Sequence, residues 1–403
     1  MGTAMVSGPE WIAPFSNHLP VRIDFGREIA VSLPEAADRL AAKRSFVVLD
    51  AGLREMVPAV RAAVEALEAR GSEVELFEKE AGEPTVAGVE VARDALVEAA
   101  PDSIIAIGGG SVMDTAKVAR LCSQLDSEVL EMFRQRPAIP APKTPLICAP
   151  TTAGTGSEVS GGAVVSDPET GAKAGIAGPN LRAQEALVDP ALTLSLPGTV
   201  TAHSGIDALA QAIAGIVART RTPVGNAVAF EAIRLVAGAL PVAVEDGGNL
   251  AAREAMACGS LMAGLTMNIS DCAAEHSIAQ AIGALTHLPH GLTIGLVLAE
   301  TLERERVHVP ALMERVGDAM GVPDNDSRDG SRAVRGVREL LACLEFPVLS
   351  DYEIADSDLD GLVELSLSDI FINQSPAPWT AEEVREVLVQ ALALPARSRD
   401  GGG

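Results

Sequence analysis

The segment SIIAIGGGSVMDTAK, residues 103–117, decides the fold class of this chain. It begins with a short apolar run typical of a buried strand, and Gly108–Gly110 separate that run from a helix-like stretch. Ser111, with Asp114 three residues later, is the expected start of the helix. Glycine N–H groups can approach a ligand closely, and a helix N-terminus favours an anion. The segment therefore predicts a pyrophosphate-binding turn, with a purely structural tight turn as the alternative.

The sequence before this segment alternates strand-like and helix-like stretches. Such alternation is typical of a parallel, doubly wound sheet with helices on both faces, so the N-terminal part is predicted to be an α/β dinucleotide-binding domain. The stretches are strand-like Ser45–Asp50, helix-like Val57–Arg70, strand-like Glu73–Phe77, helix-like Val86–Ala99 and strand-like Ser103–Ile107.

The pattern changes after about Leu196. Alanine-rich stretches such as Val228–Val244 and Ala251–Met267 carry apolar residues every three or four positions, as packed helices do. Pro197 and Gly198 mark a plausible boundary. We therefore predict an α/β domain over residues 1–196, an all-helical domain over residues 197–395, and a polar, glycine-rich, disordered tail over residues 396–403.

The composition limits the partners of the chain. Its 31 basic and 55 acidic residues give a formal net charge of −24, which repels nucleic acid and anionic membrane surfaces. The five cysteines follow no disulfide or zinc-ribbon spacing, which favours a reducing compartment. Neither a signal peptide nor an uninterrupted run of about 20 apolar residues is evident. We expect a soluble cytoplasmic protein that acts on a small molecule.

Four motifs follow one another along the chain: GGGSVMDTAK at 108–117, APTTAGTGSEV at 149–159, TAHSGIDALAQAI at 201–213 and HSIAQAIGALTHLPHG at 276–291. Their order and rough spacing resemble the iron-containing (group III) alcohol dehydrogenase family, over about residues 25–392. The resemblance implies an NAD(H)-dependent oxidoreductase that transfers hydride between nicotinamide and a small alcohol, aldehyde or ketone in the cleft between two domains. It also implies a homodimer or larger homo-oligomer.

By this resemblance, Asp50 corresponds to the family's acidic residue at the adenine ribose. A carboxylate there accepts hydrogen bonds from the 2′-hydroxyl and repels a 2′-phosphate, which favours NAD over NADP. The alternatives are that Asp50 caps a turn and that Lys173 is a solvated surface charge. Glu83 departs from the asparagine usual at one cofactor contact. The residues implied to bind the cofactor are Asp50, Gly109, Gly110, Ser111, Asp114, Thr151, Thr152 and Lys173.

The family holds a divalent iron or zinc through one aspartate and three histidines, and the corresponding positions here are Asp207, Gln211, His276 and His290. Asp207 and Gln211 are four residues apart and share one helix face. A carboxamide in place of an imidazole offers a neutral oxygen that binds transition metals less well, so metal affinity is expected to fall. His203, four residues before Asp207, is a candidate replacement ligand, with an ordinary helix-start histidine as the alternative.

The implied catalytic positions are Asp207, His276 and Gln280. The family commonly has a histidine of the proton network where this chain has Gln280, and a glutamine does not titrate near neutrality. Asp271 and Glu275 are acidic where the family is small or apolar. They either make the pocket acidic, which would suit an amine or protonated imine, or face solvent.

These departures leave other functions open. One is a metal-independent reductase of an activated acceptor such as an imine, which needs no Lewis acid. A second is maleylacetate reduction, although the glycine-turn and threonine motifs differ from that group. A third is a non-catalytic dinucleotide-binding homologue, against which the three retained ligand positions argue.

Overall fold

The computed structural model describes residues 14–135, 137–166 and 173–396. Strands occur only in the first half of this described part. They are β1 (Arg22–Phe25), β2 (Arg44–Asp50), β3 (Glu73–Lys79), β4 (Ser103–Gly108), β5 (Leu146–Pro150), β6 (Gly162–Ser166), β7 (Lys173–Ala177) and β8 (Glu185–Val188). Six of them form a parallel sheet in the order β1-β8-β5-β4-β2-β3, while β6 and β7 form an antiparallel pair.

Helices connect the strands and make up nearly all of the second half. The first half contains α1 (Leu33–Arg39), α2 (Leu53–Met56), α3 (Pro58–Ala69), α4 (Val86–Ala99), α5 (Gly110–Leu125) and α6 (Val129–Gln135). The second half contains α7 (Gly198–Val217), α8 (Pro223–Glu245), α9 (Leu250–Ser270), α10 (Ala274–Thr286), α11 (His290–Glu305), α12 (Pro310–Ala319), α13 (Ser331–Cys343), α14 (Leu359–Ser368) and α15 (Ala381–Leu392).

The central strands are buried on both faces because their side chains alternate between two apolar layers. Val47 and Leu49 of β2 pack in the layer that contains the buried face of α3. Phe46 and Val48, one residue out of step, pack in the opposite layer with α4 and α5. Alternate side chains of each strand thus pack against helices on opposite faces of the sheet. This is the doubly wound arrangement that the sequence predicted.

The chain reverses its direction across the sheet between β2 and β4. Strand β3 lies on one side of β2 and β4 on the other, and the helices that follow, α3 and α5, cover opposite faces. In such sheets a crevice opens at the carboxyl ends of the two strands where the direction reverses, and ligands bind there. Asp50 ends β2 and Gly108 ends β4, so both lie at this crevice.

The helical half packs around α7, which contacts α8, α9 and α11. The predicted fold class, a parallel α/β part followed by a helical part, is confirmed. The boundary at residues 196/197 stays a prediction, although the structure changes from strands to helices between Val188 and Gly198. The predicted tail, residues 396–403, lies outside the described residues except for Ala396.

Two helices of the described part, α7 and α8, are long and apolar enough to span a membrane by length and composition alone. The apolar window of α7 is 83% buried inside the protein, as in the core helix of a soluble protein. In α8 the corresponding fraction is 39%. The two helices are therefore weak evidence for a membrane location.

Candidate active site and cofactor cleft

The glycine turn, Gly108–Gly110, lies against the loop that follows β5. This second segment, the threonine loop, contains Thr151, Thr152 and Thr155. A Cβ atom added at Gly109 would lie 3.3 Å from the Cγ2 of Thr152, and one added at Gly110 would lie 2.7 Å from the Cγ2 of Thr155. The backbone N–H of Thr151 donates to the carbonyl of Gly108 over 3.0 Å, which extends the pairing of β4 with β5 into this loop. The turn and the threonine loop therefore form one surface at the sheet's carboxyl edge.

Helix α5 begins at Gly110, with Gly109 as its N-cap, and no side chain caps it. The helix therefore begins one residue before the predicted Ser111, which lies in its first turn and does not cap it. Gly108 and Gly109 lead the backbone directly into the helix, so its first N–H groups remain without a capping side chain. Uncapped N–H groups at a helix N-terminus are suited to a phosphate.

Asp114 instead holds the surrounding loops together. It accepts hydrogen bonds from the Ser157 hydroxyl over 2.7 Å and from the Val164 N–H over 2.9 Å. The buried Lys117 ammonium, one turn further along α5, donates to the same Ser157 hydroxyl over 2.7 Å. Burial raises the pKa of Asp114 and lowers that of Lys117. Both Asp114 oxygens are engaged inside the protein, so its contribution to the cofactor site is to fix the loop.

Asp50 lies at the crevice but is not alone there. Lys79 ends the neighbouring strand β3, directly opposite Asp50 in the parallel register, and its ammonium lies 2.6 Å from the Asp50 Oδ1. Lys79 also donates to the carbonyls of Glu80 and Gly82. The sequence analysis missed Lys79, although two residues that end adjacent parallel strands are natural neighbours. One carboxylate oxygen of Asp50 is thus engaged, and the charge that would face a 2′-phosphate is partly neutralised.

We expect NADH to bind more tightly than NADPH, and Asp50→Gly to narrow the difference, because the carboxylate accepts from the 2′-hydroxyl and repels a 2′-phosphate. Lys79→Met should widen the wild-type difference, since it leaves the Asp50 charge without its partner. Dissociation constants for both reduced cofactors, measured by fluorescence titration, check this. Equal wild-type affinities would contradict the role of Asp50.

Two other positions of the predicted cofactor site are less informative. Lys173 begins β7, and its side chain lies outside the described part of the structure. Glu83 accepts a hydrogen bond from the Ser166 hydroxyl over 3.0 Å, which joins the loop before α4 to the end of β6. The role of Lys173 therefore stays a prediction.

Three of the four predicted metal-binding side chains converge beside the cofactor cleft. The ligand atoms of Asp207, His276 and His290 lie within 4.8 Å of one another. The Asp207 Oδ1 is 3.6 Å from the His276 Nε2 and 3.8 Å from the His290 Nε2, too far for hydrogen bonds. Donors bound at about 2.1 Å in a tetrahedral site are about 3.4 Å apart. The spacing therefore suits ligands of a shared cation better than partners of one another.

Unpartnered polar atoms support the same interpretation. The Asp207 Oδ1, the His276 Nε2 and the Gln211 Oε1 are all buried and have no hydrogen-bond partner among the described residues. Buried polar atoms without partners are costly, and a cation in the cluster would satisfy the Asp207 and His276 atoms. The Gln211 amide nitrogen donates to the Thr155 carbonyl over 3.4 Å, so the Gln211 Oε1 is the atom available to bind a metal. The residues present therefore fit a divalent metal.

The threonine loop meets the helical half at this site. Gly156, in a left-handed conformation with φ of 62°, packs its backbone directly on Gly264 of α9. A Cβ atom at Gly156 would lie 2.3 Å from the Gly264 Cα and 3.7 Å from the Gln211 Oε1. This contact between two glycines brings the threonine loop next to Gln211 of the candidate metal site.

The remaining polar positions differ in their surroundings. His203 packs edge-on against Phe346, with ring centroids 5.4 Å apart, and does not join the ligand cluster found in the described residues. Gln280 is half-buried on α10, one turn after His276. His290, whose side chain is 36% exposed, is the member of the cluster that connects it to solvent. His203 is therefore unsuited to serve as the fourth metal ligand in place of a histidine at position 211.

Glu275 does not face solvent, which was one of the two alternatives from the sequence. It is buried, and its Oε1 lies 2.6 Å from the His276 Nδ1. The flexible glutamate side chain, in the first turn of α10, reaches the ring of the adjacent residue although the two Cβ atoms point apart. Asp271 is half-buried at the end of α9. Burial lowers the pKa of His276, but Cys272, Asp207 and Glu275 together raise it well above its usual value.

Comparison with known proteins agrees with the geometry. Residues 20–190 match the model of the iron-containing alcohol dehydrogenases, and residues 201–392 match that of the family's C-terminal domain. The probable alcohol dehydrogenase EutG of Escherichia coli is 34% identical, with 88% of each chain covered. The choline dehydrogenase of Bacillus subtilis is 30% identical, covering 87% of this chain and 88% of that protein.

Solved structures agree as well. A 1,3-propanediol oxidoreductase superposes with a TM-score of 0.89 at 28% identity, covering 94% of this chain and all of that one. The sulfoacetaldehyde reductase of Bifidobacterium kashiwanohense, solved with NAD+, superposes with a TM-score of 0.87 at 25% identity, covering 95% and 100%. Together with the two matched domain models, these likenesses show that the chain belongs to the iron-containing alcohol dehydrogenase family.

Proposed function

We propose that this NAD(H)-dependent oxidoreductase acts on a small alcohol or aldehyde bound at a divalent iron or zinc, which Asp207, His276 and His290 hold with Gln211 as the fourth donor. The observation that carries the proposal is the convergence of three ligand atoms within 4.8 Å, together with buried oxygen and nitrogen atoms that lack partners. When bound, the metal would supply Lewis acidity that polarises the substrate oxygen for hydride transfer.

The chain's own residues have distinct tasks in this scheme. Gly109, Gly110 and the uncapped start of α5 would hold the pyrophosphate of the cofactor, and Thr152 lies beside them on the threonine loop. The Gly156–Gly264 contact sets that loop against the metal-binding half. This contact would let the two halves hold a nicotinamide and a substrate next to each other when both are bound. Gln280 contributes no titratable group to proton transfer.

The substrate class follows from the relatives. Proteins similar to this chain are named for 1,3-propanediol, methanol, choline and sulfoacetaldehyde, all small compounds with a polar oxygen. We infer a substrate of comparable size, and we infer that the enzyme is a cytoplasmic homo-oligomer. The irregular spacing of the five cysteines in the sequence supports a reducing compartment.

A metal-independent reductase of an imine is the second candidate, favoured by the loss of one imidazole at Gln211. The two are separated by removing metal with a chelator, then assaying NADH oxidation with a panel of aldehydes and cyclic imines before and after Zn2+ or Fe2+ is restored. Aldehyde activity that disappears and returns supports the metal function. Imine turnover that does not respond to metal removal supports the alternative.

We expect Gln211→His to raise Zn2+ affinity about 10-fold to 100-fold, because imidazole nitrogen is a better donor than a carboxamide oxygen for a transition metal. Competition with a chromophoric chelator measures the dissociation constant. Gln390→His, which changes an exposed glutamine of α15 outside the ligand cluster, is the matched control and should leave the Zn2+ dissociation constant unchanged. An unchanged affinity in Gln211→His would show that position 211 is not a ligand.

A further inference from the structure

A buried carboxylate lies at the His276 ring nitrogen that does not face Asp207. The Glu275 side chain is 1% exposed, and its Oε1 is 2.6 Å from the His276 Nδ1. The same oxygen lies 3.3 Å from the Ala273 N–H, which holds it at the start of α10. The opposite ring nitrogen, Nε2, is the one that lies 3.6 Å from the Asp207 Oδ1.

The position of Glu275 bears on which ring nitrogen of His276 carries the proton. An ionised Glu275 only accepts hydrogen bonds, so the Nδ1 of His276 would donate to it, which would leave the Nε2 lone pair to bind a metal. A histidine whose second nitrogen donates to a carboxylate is held in a fixed orientation and is a more basic metal ligand. The geometry of Glu275 and His276 is therefore that of a carboxylate–histidine pair behind a metal.

We propose that Glu275 is a positioning residue that orients His276 and strengthens it as a metal ligand, compensating for the weaker donor at Gln211. This inference rests on the proposed metal function. By the family resemblance, a small or apolar residue is expected at position 275 and a histidine at position 211, so both positions are departures. One departure removes an imidazole from the site, and the other places a carboxyl group next to an imidazole that remains.

The test compares Zn2+ dissociation constants of the full-length protein, measured by competition with a chromophoric chelator. We expect Glu275→Val to weaken Zn2+ binding about 10-fold to 100-fold, the usual cost of losing a partner of a metal-binding histidine. Glu275→Gln keeps an acceptor for the Nδ1 proton without the charge, so its loss should be smaller. The control is Glu300→Gln, which changes a buried glutamate of α11 that pairs with Arg338. It should leave the Zn2+ dissociation constant unchanged.

The outcomes separate this inference from the proposed function. Zn2+ binding by the wild type together with unchanged affinity in Glu275→Val would overturn the role of Glu275 and leave the metal function intact. A wild type without measurable Zn2+ affinity would overturn the metal function and this role with it. NADH affinity serves as the folding check, and if Glu275→Val fails it, Glu275→Gln carries the test: an unchanged Zn2+ affinity then overturns the role.

Discussion

An Asp207→Asn variant should lose about 10³-fold in kcat/KM for aldehyde reduction, because metal polarisation is worth several kcal/mol and each 1.4 kcal/mol is about tenfold in rate. Asp207 supplies the only carboxylate of the ligand cluster, and it is buried. Asparagine has nearly the same shape, so folding should be retained while the charge that holds the cation is lost. Steady-state kinetics and metal content of the purified variant measure both effects.

The control for this variant is Asp271→Asn, which changes a half-buried aspartate outside the cluster. It should retain both metal content and turnover. If instead Asp207→Asn loses its metal but keeps wild-type turnover of a cyclic imine, hydride transfer does not use the metal. That result would establish the imine reductase alternative in place of the proposed function.

The second large effect is expected from Gly109→Val, which should weaken NADH binding at least about 100-fold. A side chain here lies between the start of α5 and Thr152, whose Cγ2 would be 3.3 Å from the first added carbon. It would keep the pyrophosphate away from the uncapped N–H groups of the helix. Two lost hydrogen bonds to a charged group, at about 1.5 to 3 kcal/mol each, account for this magnitude.

Zn2+ affinity provides an internal check in this variant, because the metal ligands belong to the helical half. Gly361→Val is the matched control, since position 361 is exposed and a Cβ there meets nothing within 4 Å. Calorimetric titration with NADH and thermal unfolding should show lost binding in Gly109→Val with the fold preserved. Undiminished NADH binding would mean that the glycine turn is structural only.

The regular elements were predictable because their signals are local. Helix α4 spans the predicted residues Val86–Ala99, and β2 begins one residue before the predicted Ser45, since apolar periodicity reports burial directly. The start of α5 was not predictable from its capping residues. Whether Asp114 caps a helix or reaches Ser157 depends on the loop 43 residues away, which a local pattern cannot reveal.

The site was predictable in part for a similar reason. Family motifs identified Asp207, His276 and His290, and the structure brings them together. The partners of these motifs were not identified, because contacts between elements determine them. Glu275 shows the limit of helix geometry: adjacent residues diverge by about 100° at the backbone, yet a long side chain can return to its neighbour.

The contact between Gly156 and Gly264 has a consequence for engineering this enzyme. Each position would place an added carbon within 2.6 Å of the other's backbone, so neither can accept a side chain unless the two segments separate. Mutant libraries that aim to admit bulkier substrates should therefore leave this pair unchanged. Phe371, whose ring centroid is 6.1 Å from that of His276, is the better residue to vary, because truncating a side chain enlarges the space without moving the backbone.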